Sequence, residues 1–562
     1  MTQQTVSLKT DRSSWLPQLL CGFLLSFTVF IFAPIDMYLL NKPDFWFSLG
    51  DFVPMQLLLF AICFVAIEGV MALIRLTPER VYNGVLALLF GLSVSVYIQG
   101  NILCTTNEVW GGIVPQWHNM IMGTMSDLLI WCAIIFGSLL IMTLKPGFFK
   151  KAIAAVSALL MIMMGTSLVV SLISAEASKV TDVYTSTEKM LTYSGNGDVA
   201  IFMMDTFDSR LMDQVLDDDP DYLKELDGAT YYPNTAGTFR KTDPSILAVF
   251  TGQIYKNEVP FFQFCNEAFD NNTFFTDMID NGVSVTIYGE ETLYNDDMLT
   301  QIENLEIRES SVLSRMRFTG IMQKMIAYRY GPPSLQPFLY MPYVAEFDSQ
   351  QKLLPGKPNR YTQMYTGPVG NLAEEGLSID NSTRYFKFYA MRGSHEPHNL
   401  NRYGKVVPDN TVDKYEMTLG SLSLINQYVA EMKAKGIYDS TTIIIMADHG
   451  YGDNVAGALN NPTFIVKPAN AHGEIAVSNA KTSLMDVRAT VLDAFGIDYS
   501  AYGKPAHLWT AEEQRERLFF SFEWRKPSGG GFYLNDITEY AIPDDATDIG
   551  NYTETGNVYR AP

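Results

Sequence analysis

Histidine, cysteine and positive charge are all scarce in this sequence. There are six His, five Cys and 40 Lys plus Arg against 61 Asp plus Glu in 562 residues, a net charge of −21. Cys21, Cys63 and Cys132 fall inside apolar runs, Cys104 in a connecting loop, and Cys265 stands alone in the second half. That spacing excludes a disulfide framework or a Cys-rich metal site and leaves at most one bridge, Cys104 to Cys265. A chain so poor in clustered Lys and Arg is excluded as an ordinary nucleic-acid binder, because phosphate contacts need such clusters. Internal repeats and low-complexity tracts are also missing.

What is present is divided unequally. Residues 1–174 hold eight basic and eight acidic residues, so the whole excess of negative charge lies after them. The same region carries five apolar stretches, near Trp15–Tyr38, Val53–Ile74, Tyr82–Ile102, Asp127–Leu144 and Ala152–Ser174. Each approaches the ~20 residues needed to cross a bilayer. A cleaved signal peptide accounts only for the first, and no cleavage pattern follows it. Lys9, Arg12, Arg75, Arg80, Lys145, Lys150 and Lys151 fall on one side of these spans and only Lys42 on the other. The positive-inside rule then places the N-terminus in the cytosol and everything after Ser174 outside it, in a multi-pass cell (inner) membrane protein. Asp36 and Glu68 lie within spans. Such carboxylates are functional candidates, but no chain of ionisable partners accompanies them, which favours an interfacial Asp36 and a Glu68 turned toward other helices.

The expected division is therefore a transmembrane domain over 1–174, a polar juxtamembrane linker over 175–197 and an extracytoplasmic domain over 198–562. In the last, short continuous apolar runs recur at DVAIFMMD (from Asp198), VSVTIYG (Val283), RYFKFYAM (Arg384), TTIIIMAD (Thr441) and PTFIVKP (Pro462). Runs of that length suit buried strands. Helical patterns lie between them, as at Val412–Lys435 and Lys481–Phe495. Alternation of this kind predicts an α/β domain with a mostly parallel central sheet. The C-terminal stretch FFSFEWRKPSGGGFYLND is expected to complete that sheet, with Arg525 placed to contact a glycan.

Ligands of open α/β sheets bind at the carboxyl ends of strands. The first run ends in Asp205, the run from Arg384 ends in MRGSHEPH with His395 and His398, and the run from Thr441 ends in Asp448-His449-Gly450. Carboxylates and imidazoles gathered there suit a divalent ion such as Zn or Mn. A further stretch, KTDPSILAVFTG from Lys241, reads two ways. Thr242 is either an ordinary helix N-cap or a nucleophile held at a helix N-terminus, with Thr206 and Thr238 as fallbacks.

Taken in order, Asp205, Thr242-Asp243-Pro244-Ser245 with Thr251-Gly252, Gly393-Ser394-His395 and Asp448-His449-Gly450 resemble the motifs of the alkaline phosphatase superfamily, and most closely its sulfatase-like branch. Sulfatases have Cys-x-Pro-Ser-Arg at the corresponding turn. This chain has Thr242, which cannot become formylglycine, and Ile246 in place of the Arg. In these respects, and in its five spans, it is more similar to the membrane-bound lipoteichoic acid synthases and phosphoethanolamine transferases. The phrase GSHEPHNLNRYG is similar to one found in the latter. The resemblance implies one divalent metal ion (Mn or Zn) held by Asp205, Asp448, His449 and the Thr242 oxygen. It implies Thr242 as nucleophile and His395 as phosphate-binding or proton-donating group, with Lys241, Arg392, His398 and Arg525 near the substrate. The implied reaction moves phosphoglycerol or phosphoethanolamine from a membrane phospholipid to a cell-surface glycan or glycolipid through a phospho-threonine. A phosphodiesterase and an inactive lipid-binding sensor are the alternatives. Two departures stand out. The transferases carry Glu at the position of Asp205, and they carry a further His soon after Asp-His-Gly, where this chain offers only Asn454, Asn460 or His472.

Overall fold

The computed structural model describes residues 14–40, 48–104, 121–174, 183–289, 296–307, 312–339, 372, 375–408, 410–450, 460–522 and 533–561. The chain divides into two compact units. The first is Met1–Glu176 together with Glu309–Glu346, and the second is Ala177–Arg308 together with Phe347–Pro562.

The first unit holds five helices long and apolar enough to cross a membrane: α1 (Leu16–Leu39), α2 (Leu49–Ile74), α3 (Glu79–Leu103), α4 (Ile121–Leu144) and α5 (Pro146–Ile173). The last two start earlier than their apolar runs suggest, so Asp127 lies inside α4. Some polar side chains in the bundle pair with one another, while others, such as Glu68 Oε1, are buried without a hydrogen-bond partner among the described residues. Gln18 Nε2 donates to Glu68 Oε2 (2.6 Å) and Tyr82 Oη donates to Gln18 Oε1 (3.2 Å). Glu68 thus faces a neighbouring helix, as expected. Helix Val312–Tyr330 belongs to this unit as well and packs on α1, α2 and α3. The reading of 198–562 as one unbroken domain is corrected accordingly: a helix with no span-like hydropathy carries no mark in sequence of the bundle it joins.

The second unit is built on a seven-stranded sheet. Its strands are β1 (Val199–Met204), β2 (Thr230–Tyr231), β3 (Val283–Tyr288), β4 (Arg384–Met391), β5 (Thr442–Ala447), β6 (Phe464–Lys467) and β7 (Ala476–Val477). They lie in the order β7-β2-β6-β5-β1-β4-β3. Four of the six pairings are parallel; β6 runs antiparallel to β5 and β2. Every residue of β1 and β5 is buried, which is why these strands read as continuous apolar runs. Alternate residues of β1 serve opposite faces. Ile201 and Met203 join a core with Ile246–Phe250 and Val487–Leu492. Phe202, on the other face, stacks near Tyr389 and Tyr428, the latter from helix Lys414–Lys435. That helix starts at an Asp413 N-cap and stops at left-handed Gly436, close to its expected bounds. The expected helix at Lys481–Phe495 begins later, at Val487, after a short strand (Thr482–Ser483) and a 3₁₀ turn.

Two further expectations change, and one open possibility is closed. The described part of the 175–197 linker is folded into this unit, with Val183–Thr185 paired to Leu305–Ile307 and Thr192–Tyr193 to Ser378–Ile379. The C-terminal strands Leu518–Ser521, Ile537–Ala541 and Thr553–Tyr559 form their own antiparallel sheet and do not extend the central one. No disulfide joins Cys104 to Cys265.

Candidate active site

Sheet register brings the site together. In β1 and β5, Met204 lies opposite Ala447, so the next residues, Asp205 and Asp448, leave the sheet side by side. On the other flank Met204 lies opposite Met391, so Arg392 and the Gly393-Ser394-His395 turn leave at the same edge. The turn is clamped onto Asp205. Asp205 N donates to Met391 O (3.0 Å) and Ser394 N to Asp205 O (2.9 Å). Gly393 has φ +57, and a Cβ there would overlap the Asp205 backbone. Glycine is the residue that suits both demands.

Asp205, Asp448 and His449 place ligand atoms within 4.8 Å of one another, and all three are buried. His449 Nε2 lies 3.4 Å from Asp448 Oδ2 and 3.8 Å from Asp205 Oδ1. His449 Nδ1 faces Gly450 O at 2.7 Å. A carbonyl only accepts, so Nδ1 carries a proton, and Nε2 is the ring nitrogen turned toward the carboxylates. Asp448 is fully buried. Its Oδ1 accepts from Thr206 N (3.1 Å) and His449 N (2.8 Å), while its Oδ2 has no hydrogen-bond partner. An unpaired oxygen on a buried carboxylate is costly. A divalent cation fits that donor set of two carboxylates and one imidazole. Thr206 adds a sign of local strain, with φ +56 at a β-branched residue beside the cluster.

Thr242 is the first residue of helix Thr242–Thr251, and Lys241, with extended backbone, holds the N-cap position. Thr242 therefore does not act as the cap, and its hydroxyl makes no hydrogen bond among the described residues. The helix's first intrahelical bond runs from Ser245 N to Lys241 O (3.2 Å), and Pro244 has no N–H to offer. Asn460 links this region to the cluster. Its Oδ1 accepts from Gly450 N (2.7 Å) and its Nδ2 donates to Phe239 O (3.0 Å). Asn460 is thus a scaffold for the site. Of the other replacements considered for the absent imidazole, Asn454 lies outside the described residues. His472 is exposed and faces Asp227 (3.1 Å).

His395 is half-buried. Burial, and then the Arg392 guanidinium, push its pKa down to about 4, and the nearby His449 and Asp448 also act on it. It is neutral near pH 7. Its Nδ1 and Arg392 Nη2 both reach Glu396 O. That carbonyl fixes the proton on Nδ1 and leaves Nε2 as an acceptor. His398 has its pKa lowered, first by burial, and its Nε2 is buried without a partner. Lys241 is half-buried and Arg392 buried. Arg525 lies outside the described residues. Of the fallback nucleophiles, Thr206 Oγ1 is engaged with Asp205 O (2.8 Å), while Thr238 Oγ1 is buried without a partner.

A family model described as Sulfatase matches residues 198–497, more than half of the chain. No curated protein matches it. Among solved structures, a phosphonate monoester hydrolase from Silicibacter pomeroyi is similar at 13% identity, over 62% of this chain and 85% of that one, with a TM-score of 0.36. A protein of the alkaline phosphatase superfamily from Vibrio parahaemolyticus is similar at 11% identity over 65% and 80%, with a TM-score of 0.36. A lipoteichoic acid synthase from Listeria monocytogenes is similar at 11% identity over 66% and 90%, with a TM-score of 0.35.

Proposed function

The chain belongs to the sulfatase family, whose members act on sulfate or phosphate esters, and from that premise we propose that it is a membrane-anchored phosphotransferase. The group transferred is phosphoglycerol or phosphoethanolamine. The donor is a bilayer phospholipid, and the acceptor is a cell-surface glycan or glycolipid. The observation that carries this reading is a threonine hydroxyl without a hydrogen-bond partner among the described residues, at the start of a helix tied through Asn460 to a buried Asp-Asp-His cluster. A threonine there offers an alcohol nucleophile, whereas sulfate-ester cleavage by the formylglycine route needs a Cys or Ser.

Asp205, Asp448 and His449 would hold one divalent ion, Mn or Zn, with the Thr242 oxygen as a further donor. Such an ion, when bound, supplies the positive charge that makes a threonine hydroxyl acidic enough to react. Thr242 Oγ1 then attacks phosphorus, the bond from phosphorus to the diacylglycerol oxygen breaks, and a phospho-threonine ester is left. A second alcohol resolves it in a ping-pong cycle. His395, neutral and with its Nε2 lone pair available, is suited to accept the proton of the attacking hydroxyl. Having taken that proton, it passes it to the diacylglycerol oxygen as the bond to phosphorus breaks. Arg392 and Lys241 add positive charge to a site that receives a phosphodiester. The five apolar helices hold the catalytic unit to the surface that carries the donor, which raises its effective concentration. The basic-loop asymmetry supports a non-cytosolic face for that surface.

The test uses the full chain in detergent, incubated with Mn²⁺ and phosphatidylglycerol or phosphatidylethanolamine and read by intact mass. An adduct of the head-group phosphate, absent in Thr242→Ala and after chelation, is the expected result. Release of the phosphorylated alcohol with no acceptor present and no adduct would mark a hydrolase. Intact lipid with metal bound would leave the lipid-binding reading.

A further inference from the structure

The stretch Glu309–Glu346 leaves the catalytic half of the sequence and joins the membrane unit. Its helix Val312–Tyr330 docks through Phe318 on Phe52 (5.7 Å between ring centroids), Gln323 Nε2 on Gln56 Oε1 (2.7 Å) and Arg315 on Asp51 (3.4 Å). All these partners lie near one end of the bundle. The basic turns lie at the other, where Arg75 bonds Ser14 O and Lys150 pairs with Glu79.

Two of the spans are distorted where they meet this helix. α1 contains a π-helical turn at Thr28–Phe32 and α3 another at Gln99–Leu103, and helix Val312–Tyr330 touches both. π turns inside helices often mark functional sites. The second is firmly held, since Gln99 accepts from Trp131 Nε1 (2.9 Å) and donates to Asp127 Oδ2 (3.2 Å). Arg329 Nε donates to Gly100 O (3.1 Å). The Tyr330 ring lies so close to Gly100 that a Cβ there would overlap it.

What this construction leaves unfilled is informative. Tyr330 is 2% exposed and its hydroxyl has no partner. It sits within electrostatic reach of Asp36, Arg329, Cys104 and Tyr97. Asp36 and Arg329 attract one another but form no ion pair. The terminal nitrogens of Arg329 and the carboxylate of Asp36 have no hydrogen-bond partners among the described residues. A guanidinium and a phenol that need acceptors therefore lie within electrostatic reach of a carboxylate that needs a donor. Nearby, Leu335 and Phe338, just after Pro332-Pro333, are 46% and 81% exposed. Aromatic and aliphatic side chains in that position suit the boundary between head groups and acyl chains.

We propose that Asp36, Tyr97, Arg329 and Tyr330 form a binding site for the phosphodiester head group of a bilayer phospholipid. The phosphate oxygens accept from Arg329 and the Tyr330 hydroxyl, Tyr97 offers a second phenol, and the ammonium or hydroxyl arm of the head group donates to Asp36. Arg329 suits the phosphate because its planar fork presents two donors at once. The site deepens the transferase reading by naming where the donor lipid is held, and it rests on that reading for the donor role alone.

The experiment measures lipid retention by native mass spectrometry of the full chain released from bilayers of palmitoyl-oleoyl phosphatidylglycerol and phosphatidylethanolamine. Wild type, Arg329→Gln, Tyr330→Phe and Asp36→Asn are compared, with sn-glycerol phosphate in solution as the acyl-free probe. The expected result is one tightly retained phospholipid in wild type. Retention falls about tenfold in Arg329→Gln, as for loss of a charged hydrogen bond, and less in Tyr330→Phe, which removes only the hydroxyl. Asp36→Asn should change the preference between the two lipids. Binding of sn-glycerol phosphate without any retained lipid would identify a soluble phosphate ligand and overturn the proposal. So would equal retention in wild type and Arg329→Gln, with all proteins monodisperse, whether or not Thr242 gains an adduct. Retained lipid that the variants lose, with no adduct on Thr242, would instead remove the transferase reading and leave the site standing.

Discussion

The two oxygens of Asp448 have different environments. Oδ1 is saturated by two backbone amides, and Oδ2, equally buried, is left for something that the described residues do not supply. Lys387 in β4 is a buried charge of another kind. Its side chain is fully buried, donates to Lys189 O and lies among the rings of Tyr385 (4.9 Å), Tyr193 (5.2 Å) and Tyr288 (5.7 Å). Burial pushes its pKa down from 10.5 to about 7, against the attraction of Asp198 and Glu303. The folded protein therefore takes up this proton only below about pH 7, whereas the unfolded chain takes it up below 10.5. Between those values the unfolded state binds more protons, so this residue makes stability rise with pH. Lys387→Met should lack that rise. Its difference in thermal midpoint from wild type should be greatest at or below pH 7 and shrink toward pH 10, and a constant difference would contradict the assignment. Asp205, Asp448 and His449 could be found in sequence because polar residues directly after apolar runs announce strand ends. Lys387 could not. One charged letter inside RYFKFYAM looks like a solvent-facing strand residue, and only its neighbours on other elements make it buried.

The short stretch before Thr242 is gripped from two sides. Asn460 bonds Phe239 O, and the C-terminal strand Leu518–Ser521 adds a bond from Phe520 N to Thr238 O (2.8 Å). The nucleophile candidate thus owes its position to a loop residue and to a strand from the far end of the chain. Asn460→Ala would leave a buried carbonyl and a buried amide each without its partner. We expect a loss of stability of about 1–3 kcal/mol and a larger fractional loss of adduct formation on Thr242, since both grips act on the same backbone. Unchanged adduct formation in a destabilised Asn460→Ala protein would mean that the Phe239 contact does not set the position of Thr242. The main strands and the long helix at Lys414–Lys435 were readable because each spans enough residues to show a pattern and a cap. Strands of two or three residues, such as Thr192–Tyr193 and Thr230–Tyr231, carry too little pattern, and their partners lie far away in sequence. For the same reason the C-terminal strands, though recognisable as strands, could not be assigned to a sheet of their own.

Across the whole molecule, the two units are interleaved in sequence: the chain enters the membrane unit, leaves it near Glu176, and lends it Glu309–Glu346 from within the catalytic half. The five spans were plain from apolar length alone. The lent segment was not, because Val312–Tyr330 is a helix of mixed polarity whose buried side, with Phe318, Ile321, Met322, Met325 and Ile326, would serve equally well against a soluble core. The interleaving has a consequence for any attempt to separate the halves. A chain beginning at Ala177 keeps strand Val183–Thr185, which a chain beginning at Asp198 would lose together with its pairing to Leu305–Ile307. Both would expose the apolar side of Val312–Tyr330, a patch of the kind that drives association in water. We therefore expect the Ala177 chain to run as a monomer on size exclusion only with detergent present, and to self-associate without it. The Asp198 chain should in addition unfold at lower temperature. If the Ala177 chain is monomeric without detergent, the segment does not depend on the spans for cover. The head-group site built on Arg329 and Tyr330 would then lose its physical basis, because a helix that folds back on its own unit in water has no reason to hold a lipid against Asp36.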